Sequence, residues 1–153
     1  MLKHLALAMA AFLVVASVTF SGTAGGDDLV VIVNKANPST QLTKGELRAL
    51  FLVLKTNWPH GAEALPINLP DSNELRRRFD LAVLGWTPEE VANYWIDRKI
   101  RGDARTPKKA SSTLAVLKVV SGSEGAVGYV HRSETTQQVK VVATIQGGSV
   151  TGP

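Results

Sequence analysis

Hydrophobic positions along the chain switch between continuous runs and rows at helical spacing, a pattern that predicts alternating strands and helices. Residues 29–33 read LVVIV, a run typical of a strand that is buried on both faces. Thr43 and Glu46 form a capping box, which predicts the start of a helix. The apolar residues of that helix recur at helical spacing, at Leu47, Leu50, Phe51 and Leu54.

The next strand and helix meet in a segment rich in polar side chains. Residues 65–69 predict a short strand, and we place it at the edge of a sheet because proline cannot donate a ladder hydrogen bond. Asp71 or Ser72 is the predicted N-cap of the helix that follows, and Gly85 is predicted to end it in the left-handed conformation. The apolar face of this helix carries Leu75, Phe79 and Val83.

Clear start signals define the remaining helices. Thr87-Pro88-Glu89-Glu90 combines an N-cap threonine, a proline at the first helical position and a capping box. Ser111 or Ser112 is predicted to cap a helix over residues 114–120. Two further strands and a flexible tail are predicted at residues 126–130, 139–145 and 147–153. This succession predicts one α/β domain over residues 25–146.

The first 24 residues have the form of a secretory signal peptide. Lys3 precedes an apolar run of 14 residues, 5–18, which is too short to span a membrane comfortably. Gly22 and Ala24 fit the small-x-small rule, so we predict that residues 1–24 are cleaved, which leaves 129 residues. An N-terminal anchor helix that is never cleaved is the alternative.

The composition excludes several kinds of site. The chain has 153 residues, 44% hydrophobic and 20% charged, which is typical of one soluble globular domain. Its net charge of +4 suits small acidic ligands but not a dedicated nucleic-acid binder. The sequence has no cysteine, which excludes disulfides, thiol nucleophiles, thiolate metal sites and a lipidated mature N-terminus. We expect an exported protein that is free in the periplasm.

Motifs for catalysis or metal binding are missing from the sequence. His60 and His131 remain after removal of the signal peptide, without the HExxH-like spacing of a zinc site. Gly122-Ser123-Glu124-Gly125 is not a G-x-S-x-G elbow and fits a turn better. The glycines there follow a helix and precede a strand, the reverse of a dinucleotide-binding loop. We therefore predict a protein that is not an enzyme and has no catalytic residue, cofactor or metal.

Aromatic and basic clusters are interpreted as packing and as solvated surface. Residues 98–101 and 105–109 are basic, and such clusters usually form a solvated face. Large aromatic side chains usually pack in the core or at its rim, and here they are Trp58, Trp86, Tyr94, Trp95 and Tyr129.

The remaining candidate chemistry is anion capture at a helix start. Asp71, Ser72 and Asn73 lie where unpaired backbone N–H groups meet the positive end of the predicted helix, and Arg76 follows directly. Such an end holds phosphate, sulfate or carboxylate. The alternative is an ordinary cap with a solvated arginine face, because Asp71 and Glu74 can occupy the same N–H groups.

These segments resemble the phosphate-binding proteins of ABC transporters, and in particular their short, stand-alone relatives. The resemblance covers residues 29–131. It is carried by a strand, an L-[ST]-x-x-E-[LI] helix start, an I-F-L-G-like helix end and a G-A-[IV]-G-Y-V ending. In this chain the matching segments are Val31-Ile32-Val33-Asn34, Leu42-Thr43-Lys44-Gly45-Glu46-Leu47, Leu50-Phe51-Leu52, Asn57-Trp58-Pro59, Ser72 with Arg76 and Phe79, Val83-Leu84-Gly85, Tyr94-Trp95, Gly102, Pro107 and Gly125-Ala126-Val127-Gly128-Tyr129-Val130.

The chain departs from the family pattern at the anion site. The family writes R-x-D-x-S-G-T at the helix start, where this chain has Asn68-Leu69-Pro70-Asp71-Ser72-Asn73-Glu74. Ser72 and Asp71 match, Asn68 replaces the arginine, and Asn73-Glu74 replaces Gly-Thr. Val53 replaces the glycine of I-F-L-G.

The resemblance implies a single periplasmic-binding-protein-like lobe, with a central mixed sheet flanked by helices. The two-lobed relatives close on the anion from both sides, so one lobe alone is expected to bind it weakly. A homodimer or another protein would complete the cleft.

Two functions follow from these observations. The first is a periplasmic solute-binding-like protein that takes phosphate or a related oxyanion for an ABC transporter, with the permease as its partner. The alternative is an envelope accessory or sensory module that keeps the fold and binds a protein partner. The candidate ligand-binding residues are Asp71, Ser72, Asn73 and Arg76.

Overall fold

A computed structural model describes residues 28–153, and the signal peptide predicted at residues 1–24 lies outside them. The described chain alternates strands with helices, as the hydrophobic pattern predicts. In chain order the elements are β1 (Leu29–Asn34), α1 (Lys44–Phe51), β2 (Leu65–Asn68), α2 (Glu74–Val83), α3 (Pro88–Ile100), β3 (Lys108–Lys109), α4 (Thr113–Gly122), β4 (Ala126–His131), β5 (Val139–Gln146) and β6 (Ser149–Thr151).

The six strands form one mixed sheet in the order β3-β2-β4-β1-β5-β6. β2 runs parallel to β3 and β4, whereas β1 is antiparallel to both of its neighbours. β1 lies inside the sheet, and all five side chains from Leu29 to Val33 are fully buried. The continuous β-branched run therefore marks a strand covered on both faces, as predicted. The α/β fold with a mixed sheet is confirmed.

β2 is not the edge strand that its prolines predict. The two-residue strand β3 pairs with it, Ile67 opposite Lys108 and Asn68 opposite Lys109. Part of the basic cluster 105–109 is therefore extended and hydrogen-bonded to the sheet. A strand of two residues is too short to show a hydrophobic pattern, and it is therefore recognised only by its pairing with β2.

Two capping boxes are confirmed and one cap is corrected. The hydroxyls of Thr43 and Thr87 accept from the backbone N–H groups of Glu46 and Glu90 at 3.3 Å. The N-cap of α2 is neither Asp71 nor Ser72 but Asn73, whose Oδ1 accepts from the backbone N–H of Leu75 at 2.8 Å. The chain first makes a turn, in which the N–H of Asn73 donates to the Pro70 carbonyl at 2.9 Å, and this moves the helix start past Ser72.

The other helix ends agree with the predicted signals. Ser112 caps α4, since its Oγ accepts from the N–H of Ala115 at 3.2 Å. Gly85 follows α2 with φ +71°, the left-handed conformation expected of a C-terminal glycine. Its N–H donates to the Leu81 carbonyl at 3.0 Å, which satisfies one of the last carbonyls of the helix.

Residues 147–153, predicted as a flexible tail, contain a hairpin strand. Gly147 and Gly148 have φ +53° and +79°, and two consecutive positive φ values are the requirement of a type I′ turn. β6 then pairs with β5, Val150 opposite Ile145.

α1 ends earlier than its apolar spacing predicts. The helix stops at Phe51, and Leu54 lies beyond it with 66% of its surface exposed. Val53 is the only described residue other than glycine with positive φ, at +54°. This is the position at which the family pattern has glycine, and the left-handed conformation explains that preference.

Replacing Val53 by glycine should stabilise the protein. The left-handed conformation costs an L-residue such as valine about 1–2 kcal/mol, and glycine avoids this cost. Glycine in turn loses about 0.5–1 kcal/mol on folding, because the unfolded chain is more flexible at that position. We expect the free energy of unfolding to rise by roughly 0.5–1 kcal/mol, measured by denaturant titration. Val119→Gly is the matched control, because Val119 lies within α4 and should lose about 1 kcal/mol. A destabilised Val53→Gly protein would contradict the strain.

An aromatic cluster joins the sheet to α1 and α2. The rings of Phe79 and Tyr129 are nearly parallel with centroids 4.1 Å apart, and Phe51 packs 4.5 Å from Phe79. Tyr129 is fully buried, and its hydroxyl donates to Asn68 Oδ1 at 2.9 Å and accepts from the N–H of Leu69 at 3.2 Å. These bonds fix the end of β2, directly before the predicted anion segment.

Burial raises the pKa of Tyr129 well above its usual value. Above about pH 10 the unfolded chain loses the tyrosyl proton while the folded chain keeps it. The folded state then binds more protons, so stability falls as pH rises, by up to about 1.4 kcal/mol per pH unit. Urea titrations between pH 8 and 11 should show this slope. In Tyr129→Phe the slope should flatten, although the unpaired Asn68 and Leu69 groups lower the stability at neutral pH.

Candidate functional site

A cavity of about 290 Å³ lies between the start of α2, the first turns of α3 and the segment that ends in β3. One part of its wall carries charged and amide groups, and another part, contributed largely by α3, is apolar. The lining residues are Asn68, Asp71, Arg76, Arg77, Asp80, Pro88, Val91, Ala92, Trp95, Thr106, Pro107 and Lys109.

Arg76 is the buried cation of this cavity. Only 4% of its surface is exposed, although it lies in the first turn of α2. Its Nε donates to Asp80 Oδ2 at 2.7 Å, and its Nη1 donates to the Leu69 carbonyl at 2.8 Å and to Asp71 Oδ1 at 3.0 Å. Among residues 28–153 no hydrogen bond from Nη2 of Arg76 is found. Because Arg76 lines the cavity, Nη2 is the candidate donor for a ligand there.

Asp71 bridges the two cations of the site. Its Oδ1 accepts from Arg76, and its Oδ2 accepts from Lys109 Nζ at 2.9 Å. Hydrogen bonding to Lys109 and the charge of Arg76 hold the pKa of Asp71 below its usual value, so this carboxylate is ionised at neutral pH. Its side chain is 67% exposed, so the bridge lies at the surface rather than in the interior.

Asp80 provides the buried carboxylate that balances the positive charge of Arg76. It lies one turn further along α2 and is buried. Burial raises the pKa of Asp80, whereas the neighbouring Arg76 opposes this shift. The positive charges of Arg76 and Lys109 therefore face two carboxylates, those of Asp71 and Asp80, and the cluster carries no net charge.

The structure separates the four predicted site residues into two pairs. Asp71 and Arg76 line the cavity. Ser72 is exposed in the turn before α2 and is not among the lining residues, and Asn73 caps the helix. The Asn73 side chain occupies the N–H groups of Leu75 and Arg76, so part of the helix start that we expected to meet an anion is already filled.

Sequence reasoning missed Lys109, Asp80 and Trp95. Lys109 reaches Asp71 across 38 positions of sequence because β3 pairs with β2 beside the start of α2. Asp80 carries a detectable signal, since an Arg–Asp pair at i, i+4 on a helix is a typical ion pair. Trp95 gives no such signal, because its spacing on α3 equally fits rim packing.

Neither a metal site nor a membrane-spanning helix is found in residues 28–153. No group of three or more His, Cys, Asp or Glu side chains there is placed to hold a metal ion. Among these same residues no helix is both long and apolar enough to cross a membrane.

Trp58 and Tyr129 are buried, as the packing interpretation predicts, while Trp86, Tyr94 and Trp95 form a half-buried cluster.

Comparison with known proteins identifies the fold. No protein family and no curated protein matches the sequence. Solved structures do match: an ABC-type phosphate transport receptor from Vibrio cholerae has 22% identity and a TM-score of 0.61, covering 76% of this chain and 45% of the receptor. PstS from Borrelia burgdorferi has 16% identity and a TM-score of 0.57, covering 76% of this chain and 46% of PstS. A candidate phosphate ABC transporter substrate-binding protein from Clostridium perfringens, solved with bound phosphate, has 22% identity and a TM-score of 0.61, covering 76% of this chain and 44% of that protein.

The described chain thus has the fold of one lobe of a periplasmic-binding-protein-like structure. It is similar in fold to phosphate-binding proteins of ABC transporters, as the sequence motifs indicate. The matching region spans less than half the length of each of these structures.

Proposed function

We propose that this chain is an exported, periplasmic solute-binding module that captures a small oxyanion in the cavity between α2 and α3. Phosphate, sulfate and small carboxylates are the ligands to consider. The observation that carries the proposal is Arg76, a buried guanidinium that lines the cavity and whose Nη2 makes no hydrogen bond within residues 28–153. Lys109 provides a second cation beside it. The fold, shared with phosphate-binding proteins, supports the same function.

The expected affinity is low. Charge-assisted hydrogen bonds from Arg76 and Lys109 contribute about 1.5–3 kcal/mol each, and their sum of about 3–6 kcal/mol corresponds to a dissociation constant between roughly 6 mM and 40 μM. Asp71 already pairs with both cations, so a ligand replaces an existing contact. A second protein surface that covered the cavity would exclude water and strengthen each bond.

Isothermal titration calorimetry with phosphate, sulfate and acetate tests the proposal. We expect saturable binding of at least one of them, accompanied by changes in the amide signals of Arg76 and Lys109 in NMR spectra. If neither heat nor a signal change appears with any of the three, the proposed function is refuted.

Two serine variants test whether the helix start takes part. The hydroxyl of Ser72 makes no hydrogen bond with any residue of 28–153, whereas Ser112 caps α4. If Ser72 completes the anion site, Ser72→Ala should weaken binding roughly fivefold, the equivalent of about 1 kcal/mol. Ser112→Ala should lower the stability by about 1 kcal/mol and leave the affinity unchanged. Equal affinities in both variants would remove Ser72 from the site.

We further propose that an ABC permease or a second copy of the chain supplies the surface that covers the cavity. The measurement is the mass of the protein in solution with and without ligand.

The envelope accessory module is the second candidate, and the pairing of Arg76 and Lys109 with carboxylates favours it. It predicts no binding of small oxyanions, so the titration above separates the two functions.

A further inference from the structure

The charged donors of the cavity do not come from α3. Arg76 and Lys109 come from α2 and β3, whereas Pro88, Val91, Ala92 and Trp95 come from α3. A small, fully hydrated inorganic anion placed there would turn some of its oxygens toward apolar groups that cannot replace water. The lining therefore favours a ligand with one charged end and one apolar end.

The size of the cavity also exceeds that of a bare oxyanion. Its volume is about 290 Å³. This lies at the lower limit of about 300–1,000 Å³ that is usual for sites that bind organic molecules. Val91, Trp95 and Pro107 also line the cavity, and their side chains suit an apolar body.

The carboxylate of Asp71 shows where the charged end of a ligand would bind. The carboxylate of Asp71 accepts from Arg76 Nη1 at 3.0 Å and from Lys109 Nζ at 2.9 Å. It belongs to an exposed side chain, which is able to turn away into water. A ligand carboxylate that takes its place exchanges one negative charge for another.

The charge balance favours a monoanion. Arg76 and Lys109 balance Asp71 and Asp80, and the neighbouring Arg77 is paired with Glu74. A doubly charged phosphate in place of Asp71 would leave excess negative charge beside buried Asp80. A single carboxylate leaves the cluster neutral.

Trp95 is held in a defined orientation at the apolar end. Its ring packs edge-on against Tyr94 with centroids 4.9 Å apart, and the guanidinium of Arg98 lies 5.8 Å from the ring centroid. Tyr94 is itself fixed by its hydroxyl, which donates to the Leu52 carbonyl at 3.0 Å. A fixed, half-buried indole ring is a suitable surface for a flat apolar group.

We propose that the cavity binds a small organic acid, with its single carboxylate on Arg76 and Lys109 in place of Asp71 and its apolar, flat body against Trp95. This assignment rests on the proposed function and names the ligand class of the same site. It makes Asp71 an internal competitor of the ligand.

The test is a calorimetric comparison of phenylacetate, acetate and inorganic phosphate on the purified protein. Phenylacetate should bind at least tenfold more tightly than the other two. Asp71→Ala should bind phenylacetate several-fold more tightly, because the competing carboxylate is gone. Trp95→Leu should lose the advantage of phenylacetate over acetate, and Trp95→Phe should retain most of it. Ile96→Ala is the matched control, since Ile96 lies next to Trp95 on α3 but is exposed and does not line the cavity.

The outcomes distinguish failure of the organic-acid assignment from failure of the proposed function. If phosphate or acetate binds as tightly as phenylacetate, the organic-acid assignment is overturned while oxyanion binding stands. If Asp71→Ala weakens the binding of phenylacetate, Asp71 is a ligand-binding residue and not a competitor, which also overturns the assignment. If none of the three ligands binds to the parent protein, shown to be folded by circular dichroism, the organic-acid assignment is overturned. The proposed function falls with it if sulfate also gives no heat.

Discussion

Gly125→Ala should destabilise the protein by about 3–5 kcal/mol. A Cβ atom on Gly125 would lie 2.0 Å from the backbone oxygen of Glu63, which belongs to the main chain and cannot turn away. The Gly125 carbonyl also accepts from Trp58 Nε1 and from the N–H of Leu65, each at 2.9 Å. The alanine methyl group would push the main chains of residues 63 and 125 apart. This overpacking costs about 1–3 kcal/mol or more, and each hydrogen bond lost at the Gly125 carbonyl costs about 1 kcal/mol.

Gly122→Ala is the matched control for this substitution. Gly122 is the last residue of α4, and a Cβ there meets nothing within 4 Å. Alanine should leave the stability unchanged or raise it by up to about 1 kcal/mol. Denaturant titration of both variants measures the difference between them. Equal stabilities would show that the chain at Gly125 does not approach Glu63 as closely as described.

The glycines of the G-A-V-G-Y-V segment thus have a packing explanation. Gly125 admits the Glu63 main chain, and a Cβ on Gly128 would lie 2.4 Å from Val116 Cγ1 of α4. The motif that carries the resemblance most specifically is therefore a requirement of the fold, at the place where β4 meets its neighbours. It says nothing directly about a ligand.

Predictions succeeded where the information is local. The β-branched run of β1 and the capping boxes at Thr43 and Thr87 depend only on neighbouring residues, and the structure has all three. The cap of α2 was predicted wrongly because three capping residues, Asp71, Ser72 and Asn73, follow one another. A turn closed by the Pro70 carbonyl decides between them, and propensity alone does not.

The site itself depends on contacts that are distant in sequence. Lys109 becomes part of it through a two-residue strand, and Asp71 is tied to Lys109 only after β3 pairs with β2. Arg76 likewise lines a cavity together with residues of α3 and of the segment that ends in β3. From sequence alone, an arginine near a helix start is expected to be exposed to solvent. In the structure Arg76 is instead buried together with Asp80.

Arg76→Met should destabilise the protein by about 3–5 kcal/mol, because it leaves the buried carboxylate of Asp80 without its partner. It also leaves the Leu69 carbonyl without the donor that lies 2.8 Å from it. Methionine keeps most of the volume of the side chain, so the loss reports on charge and hydrogen bonding rather than on a cavity.

The pH dependence of this variant identifies the cause. Without Arg76 only burial acts strongly on Asp80, so its pKa in the folded state rises further above the unfolded value of about 3.9. The folded variant then binds more protons than the unfolded chain, so its stability should fall as pH rises from 4 to 7. Urea titrations at both pH values, with Arg76→Met/Asp80→Leu as control, measure this effect. The double variant should regain stability and lose the pH slope, while the binding of oxyanions stays lost in both. A double variant that binds oxyanions like the parent would show that Arg76 supports the fold and takes no part in the site.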